Sequence, residues 1–251
     1  MSIAGQGHRG FYNWHILIEN IRSYDSGLKG AVEVCDGNRH ITVRQIYSNG
    51  GQYGVDIQDH RKEGQTNHDI LVEDVHAVNV QVAVTTNARP LGHRNLTVRN
   101  VTGSDWAARR RNRARVNVSH FDNVTLENIR VRDNQAGSAI AVRWGAGAFV
   151  RNLFVDGPGD PQESLVQIVD ASDLVLDGVV ARRSVASKSP AVHIHYTDKA
   201  SGGRNLFVAN VLAPGATTAV RLDRAAESIP VTDYRVTAIS GNFEDLISVR
   251  P

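Results

Sequence analysis

Tyr53, Asp56 and His60 fall within one stretch of eight residues, and together they carry the groups that proton abstraction beside a carboxylate requires. A base takes the proton, an acid hands one to the departing oxygen, and a cation neutralises the developing charge. Asp56, His60 or an arginine could be the base and Tyr53 a proton shuttle. Arg61, Lys62 and Arg89 are the cations expected in loops on the same side. Glu33 adds a second carboxylate one repeat earlier. If it lies about 5 Å from Asp56, like-charge crowding raises one pKa or a Ca²⁺ bridges the pair, the one cofactor this pairing invites. The same spacing suits a glycoside hydrolase of the retaining kind.

Charge supplies a second set of candidates. Residues 109–115 hold five arginines, Arg109, Arg110, Arg111, Arg113 and Arg115, and guanidinium forks grip carboxylate or sulfate at two points. Asn117 follows them on a predicted strand. Arg143, His193 and His195 stand on later strands, with Trp144 and Tyr196 beside them as candidate sugar-stacking rings. The two histidines sit near Asp170 and Asp223. They read as a sugar-contact surface, and no metal ligand set is assigned. The formal net charge of +2 and the lack of aromatics among the arginines count against nucleic acid. No apolar run of about 18 residues crosses a bilayer, the single Cys35 permits no internal disulfide, and no basic-then-apolar leader opens this chain.

These residues are positioned by a repeat. The pattern apolar-x-apolar-x-polar-apolar occurs nine times, beginning at Ile16, Ile41, Ile70, Leu96, Val124, Leu153, Leu174, Leu206 and Tyr234. The residue before the last apolar one reads Asn20, Gln45, Asp74, Asn100, Asn128, Gly157, Gly178, Asn210 and Ala238. Seven of these nine are Asn, Asp or Gly, which accept a left-handed backbone, so a bend is expected at one place in every repeat. A second strand follows within each interval: 31–35, 54–58, 80–85, 115–119, 139–143, 165–169, 191–195, 219–223 and 245–249. Repeats of about 27 residues with no helical stretch predict strands stacked on their own copies. The expected fold is all-β, a solenoid of about nine coils in a single domain over 1–251. Alternation then sends Glu33, Asp56, Gln81, Asn117, Gln167, His193 and Arg221 outward in one column, and Cys35, Gln58, Ala83, Ser119, Arg143, His195 and Asp223 in the next.

A chain of this kind resembles the right-handed parallel β-helix of pectate lyases, polygalacturonases and alginate C5-epimerases. The resemblance implies that the outward columns and their loops form a groove for a uronic acid-containing polysaccharide, and that the protein acts outside the cell or at its surface. Residues 53–58 are similar to the Tyr-Gly-x-Asp-Pro-His segment of the epimerases, which makes Tyr53 and Asp56 catalytic by resemblance. Ile57 replaces the proline and Gln58 the histidine, with His60 two residues on. Gln81 and Ala83 stand where an acid is expected one coil later. Lyase or C5-epimerase chemistry is therefore the first expectation. A hydrolase using Glu33 and Asp56 and a non-catalytic glycan-binding or adhesive β-helix are the alternatives. Glu33, Gln58, Lys62, Arg89, Arg113, Arg115, Asn117, Arg143, His193 and His195 are the residues expected to contact the polymer.

Overall fold

The computed structural model describes residues 1–5, 10–27, 30–60, 65–89, 92–106, 114–135, 137–157, 163–182, 189–197 and 202–247. Among them are nineteen strands and no helix: β1 (Ser2–Ala4), β2 (Asn13–Tyr24), β3 (Gly30–Cys35), β4 (Asn38–Asn49), β5 (Tyr53–Gln58), β6 (His68–Val78), β7 (Val82–Asn87), β8 (His93–Ser104), β9 (Val116–Ser119), β10 (Phe121–Val131), β11 (Ile140–Arg143), β12 (Ala146–Asp156), β13 (Val166–Val169), β14 (Ser172–Arg182), β15 (Val192–Tyr196), β16 (Gly203–Leu212), β17 (Thr218–Arg224), β18 (Val231–Ser240) and β19 (Asn242–Ile247). The ten odd-numbered short strands form one parallel sheet and the nine even-numbered long strands another, each strand paired with its copy one coil away. The result is a parallel β-solenoid of about eight turns, its nine long strands matching the nine predicted repeats.

Each long strand bends twice, five residues apart. His15 and Asn20, Asp69 and Asp74, Asn95 and Asn100, and Asn123 and Asn128 all have φ between +51° and +59°, as do their non-glycine counterparts through Asp233 and Ala238, while Gly147 and Gly178 take two of the positions at φ +72° and +70°. Asn and Asp tolerate this region because their short polar side chains bond locally. Here they also bond along the solenoid: Asn100 Nδ2 donates to Asp74 Oδ1 at 3.0 Å, Asn128 to Asn100 at 3.1 Å and Asn152 to Asn128 at 3.1 Å. These ladder positions explain why Asn95, Asn100 and Asn123 precede x-Thr in the sequence.

Outside the bends the long strands carry a charge ladder in exact rung-to-rung alternation of sign: Glu19, Arg44, Glu73, Arg99, Glu127, Arg151 and Asp177 are successive neighbours. Arg44 meets Glu19 at 2.6 Å, Arg99 meets Glu73 at 2.5 Å and Arg151 meets Glu127 at 2.8 Å. Such solvent-facing pairs add little stability, but a slip of one coil would set like charges together, so they specify register more than they stabilise. Inward, one continuous core of Val, Ile, Leu and Ala runs from Ile18 to Ile229.

Two register expectations need correction. Asp56 pairs with Thr85, and Gln58 with Asn87, where Gln81 and Ala83 were expected. Val80, Val82, Ala83 and Val84 are all buried, and Gln81 and Thr85 share one parity, so alternation selects a face without fixing register. The sixth repeat is anchored at Ala148 to Leu153, because Val124 pairs with Ala148 and Ile129 with Leu153. The bend accordingly falls at Asn152, where Gly157 was expected.

Asn100 tests the ladder. Asn100→Val places a β-branched residue in the left-handed region, at about 1–2 kcal/mol, and removes two side-chain bonds of about 1 kcal/mol or less each. Asn100→Gly removes the bonds alone. Denaturant unfolding should rank wild type above Asn100→Gly, and Asn100→Gly above Asn100→Val, with a total loss of about 2–3 kcal/mol. Equal stability of the two variants would mean that the bend carries no strain.

Candidate functional site

The short-strand sheet carries most of the sequence candidates. Its outward column reads Ser2, Glu33, Asp56, Thr85, Asn117, Ala141, Gln167, His193, Arg221 and Glu244 in adjacent registers. Glu33 and Asp56 are rung neighbours as expected. Gln58 Nε2 donates to Glu33 Oε1, so an amide lies against the pair. Asp56 is only 6% exposed, and Thr85, Asn117 and Ser119 are also buried. From Asp56 to Ala141 the column is thus buried, where an open groove was expected, while Ser2 is exposed and Glu33 half-buried.

Residues 53–60 do not converge on one point. Tyr53 opens β5 on the parity of Val55 and Ile57, whereas Asp56 and Gln58 take the opposite face. His60 turns to Asp36 on the preceding coil: its backbone N–H donates to Oδ1 at 2.8 Å and its Nδ1 lies 2.5 Å from Oδ2. Cys35 completes that group. Burial pushes its thiol up to about 12, with Asp36 and Glu33 adding to the effect, so it is a protonated, structural side chain. Lys62 and Arg113, with Arg61 and Arg109 to Arg111, lie outside the described residues.

Arg89 serves Asp59. Its N–H and Nε–H donate to the two carboxylate oxygens at 2.7 and 3.2 Å. Asp59 is buried and also faces His93 Nε2 at 3.2 Å. The Asn67 N–H donates to His93 Nδ1 at 2.9 Å, so Nε2 carries the proton and the ring is neutral. Burial holds the His93 pKa below its usual range against the opposing pull of Asp59. Arg115, expected to contact a polymer, is 2% exposed. Its Nε–H reaches Asn134 Oδ1 at 3.0 Å and its Nη1 the Gln81 carbonyl at 2.8 Å, while the guanidinium stacks on Trp106.

Further along, the column opens. Arg143 spans three coils, donating to Asn117 Oδ1 at 2.8 Å and Gln167 Oε1 at 2.9 Å. His193 and His195 project from β15 between the buried Val192, Ile194 and Tyr196, and Asp223 lies beside them on β17. Asp170 does not join this group; it caps Thr197 and accepts from Trp144 Nε1. Tyr196 is buried with its hydroxyl on the Ala171 carbonyl, so it is not a surface ring.

A second feature escaped the sequence reading. Two residues past each second bend, the long strands set out Arg22, Tyr47, His76, Thr102, Arg130 and Phe154 in adjacent registers. Tyr47 stacks on His76 at 5.5 Å, His76 Nδ1 lies 2.7 Å from Thr102 Oγ1, and Arg130 and Arg182 both cover Phe154. One cleft of about 330 Å³ lies between Arg22, Tyr47 and Asp74, and another of about 390 Å³ between Thr102, Arg130, Asn152 and Phe154. A third, lined by His76, Thr102, Arg130 and Arg132, shares residues with both. Through those shared residues the three clefts follow one another as a trough across six coils, roughly 24 Å at the inter-strand spacing. Its lining carries Arg22, Arg130 and Arg132 against the single carboxylate of Asp74. The marker for these residues was their fixed offset from the bend.

No family model, curated protein or solved structure matches this chain.

The pH response follows from the buried imidazoles. His68, His93 and His120 all have pKa values lowered from 6.5, chiefly by burial. The unfolded chain therefore binds protons first as pH falls. Their contribution is fully present above about pH 6.5 and is lost as pH drops through the lowered folded values. Unfolding midpoints should stay level from about pH 8 to 7 and decline below 6.5. His93→Gln should flatten part of that decline, at a cost near neutrality of about 1–3 kcal/mol from the lost bonds of the buried ring to Asp59 and the Asn67 N–H. An unchanged slope in the variant would remove His93 from the acid response.

Proposed function

We propose that this β-solenoid binds an extended acidic polysaccharide, of the uronic acid-containing kind, lengthwise along the trough of the long-strand sheet. The observation that carries the reading is the continuity of that trough: three clefts share their lining residues and present cations and aromatic rings on successive coils. Guanidinium groups pair with carboxylates at two points, and rings such as Tyr47 and Phe154 offer faces on which the apolar side of a sugar packs. Repetition at each coil suits a polymer better than a compact ligand.

Binding is favoured over elimination or epimerisation at residues 53–60. A base working on a polymer must reach the surface, and Asp56 is buried. His60 is engaged with Asp36 and Arg89 with Asp59, so two of the groups such chemistry would draw on beside Asp56 are committed elsewhere, while Lys62 lies outside the described residues. Paired-carboxylate hydrolysis at Glu33 and Asp56 meets the same barrier.

Titration with alginate, pectate, hyaluronan and chondroitin sulfate, with neutral dextran as control, tests the reading. Acidic polymers should bind and weaken as salt rises toward about 0.15 M, where the screening length is about 8 Å. Arg130→Ala and Tyr47→Ala should each weaken binding roughly fivefold, the equivalent of about 1 kcal/mol, with a shallower salt dependence for Arg130→Ala. Equal binding of dextran, or wild-type affinity in both variants, would overturn it. Ultraviolet absorbance from unsaturated uronide ends should not develop; absorbance that appears with wild type and vanishes in Asp56→Asn would restore the lyase reading.

A further inference from the structure

The short-strand sheet holds a second cluster, independent of the trough. On β15 the alternation that buries Val192, Ile194 and Tyr196 turns His193 and His195 outward, and β17 sets Asp223 in register with His195. His193 Nε2 lies 2.7 Å from Asp223 Oδ2, and the two imidazole centroids are 5.4 Å apart. One ligand atom from each of the three residues lies within 4.8 Å of the others.

The geometry points to a binding site for a first-row divalent transition metal, Zn²⁺ in the first instance, held by His193, His195 and Asp223. Asp223 Oδ1 is buried without a hydrogen-bond partner on a residue only 8% exposed. A buried carboxylate oxygen left this way costs stability unless something satisfies it. Neighbouring groups are occupied. Arg221 is held by Glu244 at 2.8 and 2.7 Å, and Glu244 also accepts from Thr218 Oγ1. Gln167, beside His193 on the preceding coil, is held by Arg143. Asp223 therefore faces the two imidazoles with its charge uncommitted to any arginine among the described contacts.

Two imidazoles and one carboxylate form a donor set for Zn²⁺ or its neighbours, with ligand bonds of about 2.0–2.2 Å. In place of the proton between His193 Nε2 and Asp223 Oδ2, the metal draws both atoms onto itself, and the His193 ring proton moves to Nδ1 or is released. Three protein ligands leave a position for water or a ligand, and His193, at 26% side-chain exposure, places that position toward solvent. Ca²⁺, which seeks six to eight oxygens, is a poor fit. The other group with ligand spacing, Cys35, Asp36 and His60, lacks this readiness. Its thiol is held protonated by burial, and both Asp36 oxygens are taken by His60.

Calorimetric titration of the full chain with Zn²⁺ should give one equivalent bound. Outer partners of metal ligands alone are worth about 10–100-fold in affinity, so His193→Ala and His195→Ala should each lose at least about tenfold, while His60→Ala binds as wild type. A tenfold excess of Ca²⁺ or Mg²⁺ should not displace the ion. Co²⁺ should develop visible d–d bands on the wild-type protein, a readout that needs no variant to fold, and circular dichroism checks that each variant does. The proposal fails if wild type binds no stoichiometric Zn²⁺ and develops no Co²⁺ bands, if His195→Ala binds like wild type, or if His60→Ala loses as much as His193→Ala.

Discussion

Every coil of a parallel solenoid must lie on the one before it, because each strand's backbone groups are satisfied only by its copies above and below. That constraint makes the bends the controlling feature. Left-handed residues at one height, such as Asp74, Asn100, Asn128 and Asn152, turn the chain at the same point in each coil. A non-glycine residue there costs about 1–2 kcal/mol, and the asparagine ladder offsets part of it through side-chain bonds to the coil below. With the bends superposed, all other columns follow: the inward aliphatic core, the alternating charge ladder from Glu19 to Asp177, and the row from Arg22 to Phe154 that lines the trough.

The same constraint explains what was legible in the sequence. Faces and most of the second bends were, because Asn or Asp before an apolar residue and the alternation of Val with polar residues are local signals. The first bend of each long strand, as at Asp69 and Asn95, was not read. Register was legible only where polar residues bounded the apolar run. Gln81 and Thr85, on one parity of the same valine-rich run, hid a displacement of four residues, and the similar patterns around Ala148 and Leu153 hid one of five. Loops of unequal length between coils add no signal that would correct either.

Site chemistry was harder, because in a solenoid a side chain's nearest partners lie one coil away. The sequence neighbours Tyr53, Asp56 and His60 look like one constellation, yet His60 meets Asp36 and Asp59 meets His93, from adjacent coils. Alternation also says which way a residue points without saying whether that face is covered. Asn117 and Arg143 share the outward side of one sheet, but the first is buried and the second half-exposed. His193, His195 and Asp223 were recognisable as neighbours because β15 and β17 carry the repeat pattern cleanly. Asp170 fell outside because it closes the coil as a cap.

The two candidate regions sit on different sheets with the aliphatic core between them, and this separation has a thermodynamic consequence. Sites without shared partners behave additively, and the trough residues Tyr47, His76 and Arg130 have no contact with the His193 group among the described interactions. Coupling would need a two-state element spanning the core, and the core between them is one continuous packed hydrophobic cluster. The long-strand face therefore presents a surface repeated from coil to coil, while the short-strand face concentrates distinct groups on single coils. A change of one residue per coil alters the first by a small step and the second altogether, since losing any one of His193, His195 or Asp223 removes a third of the donor set.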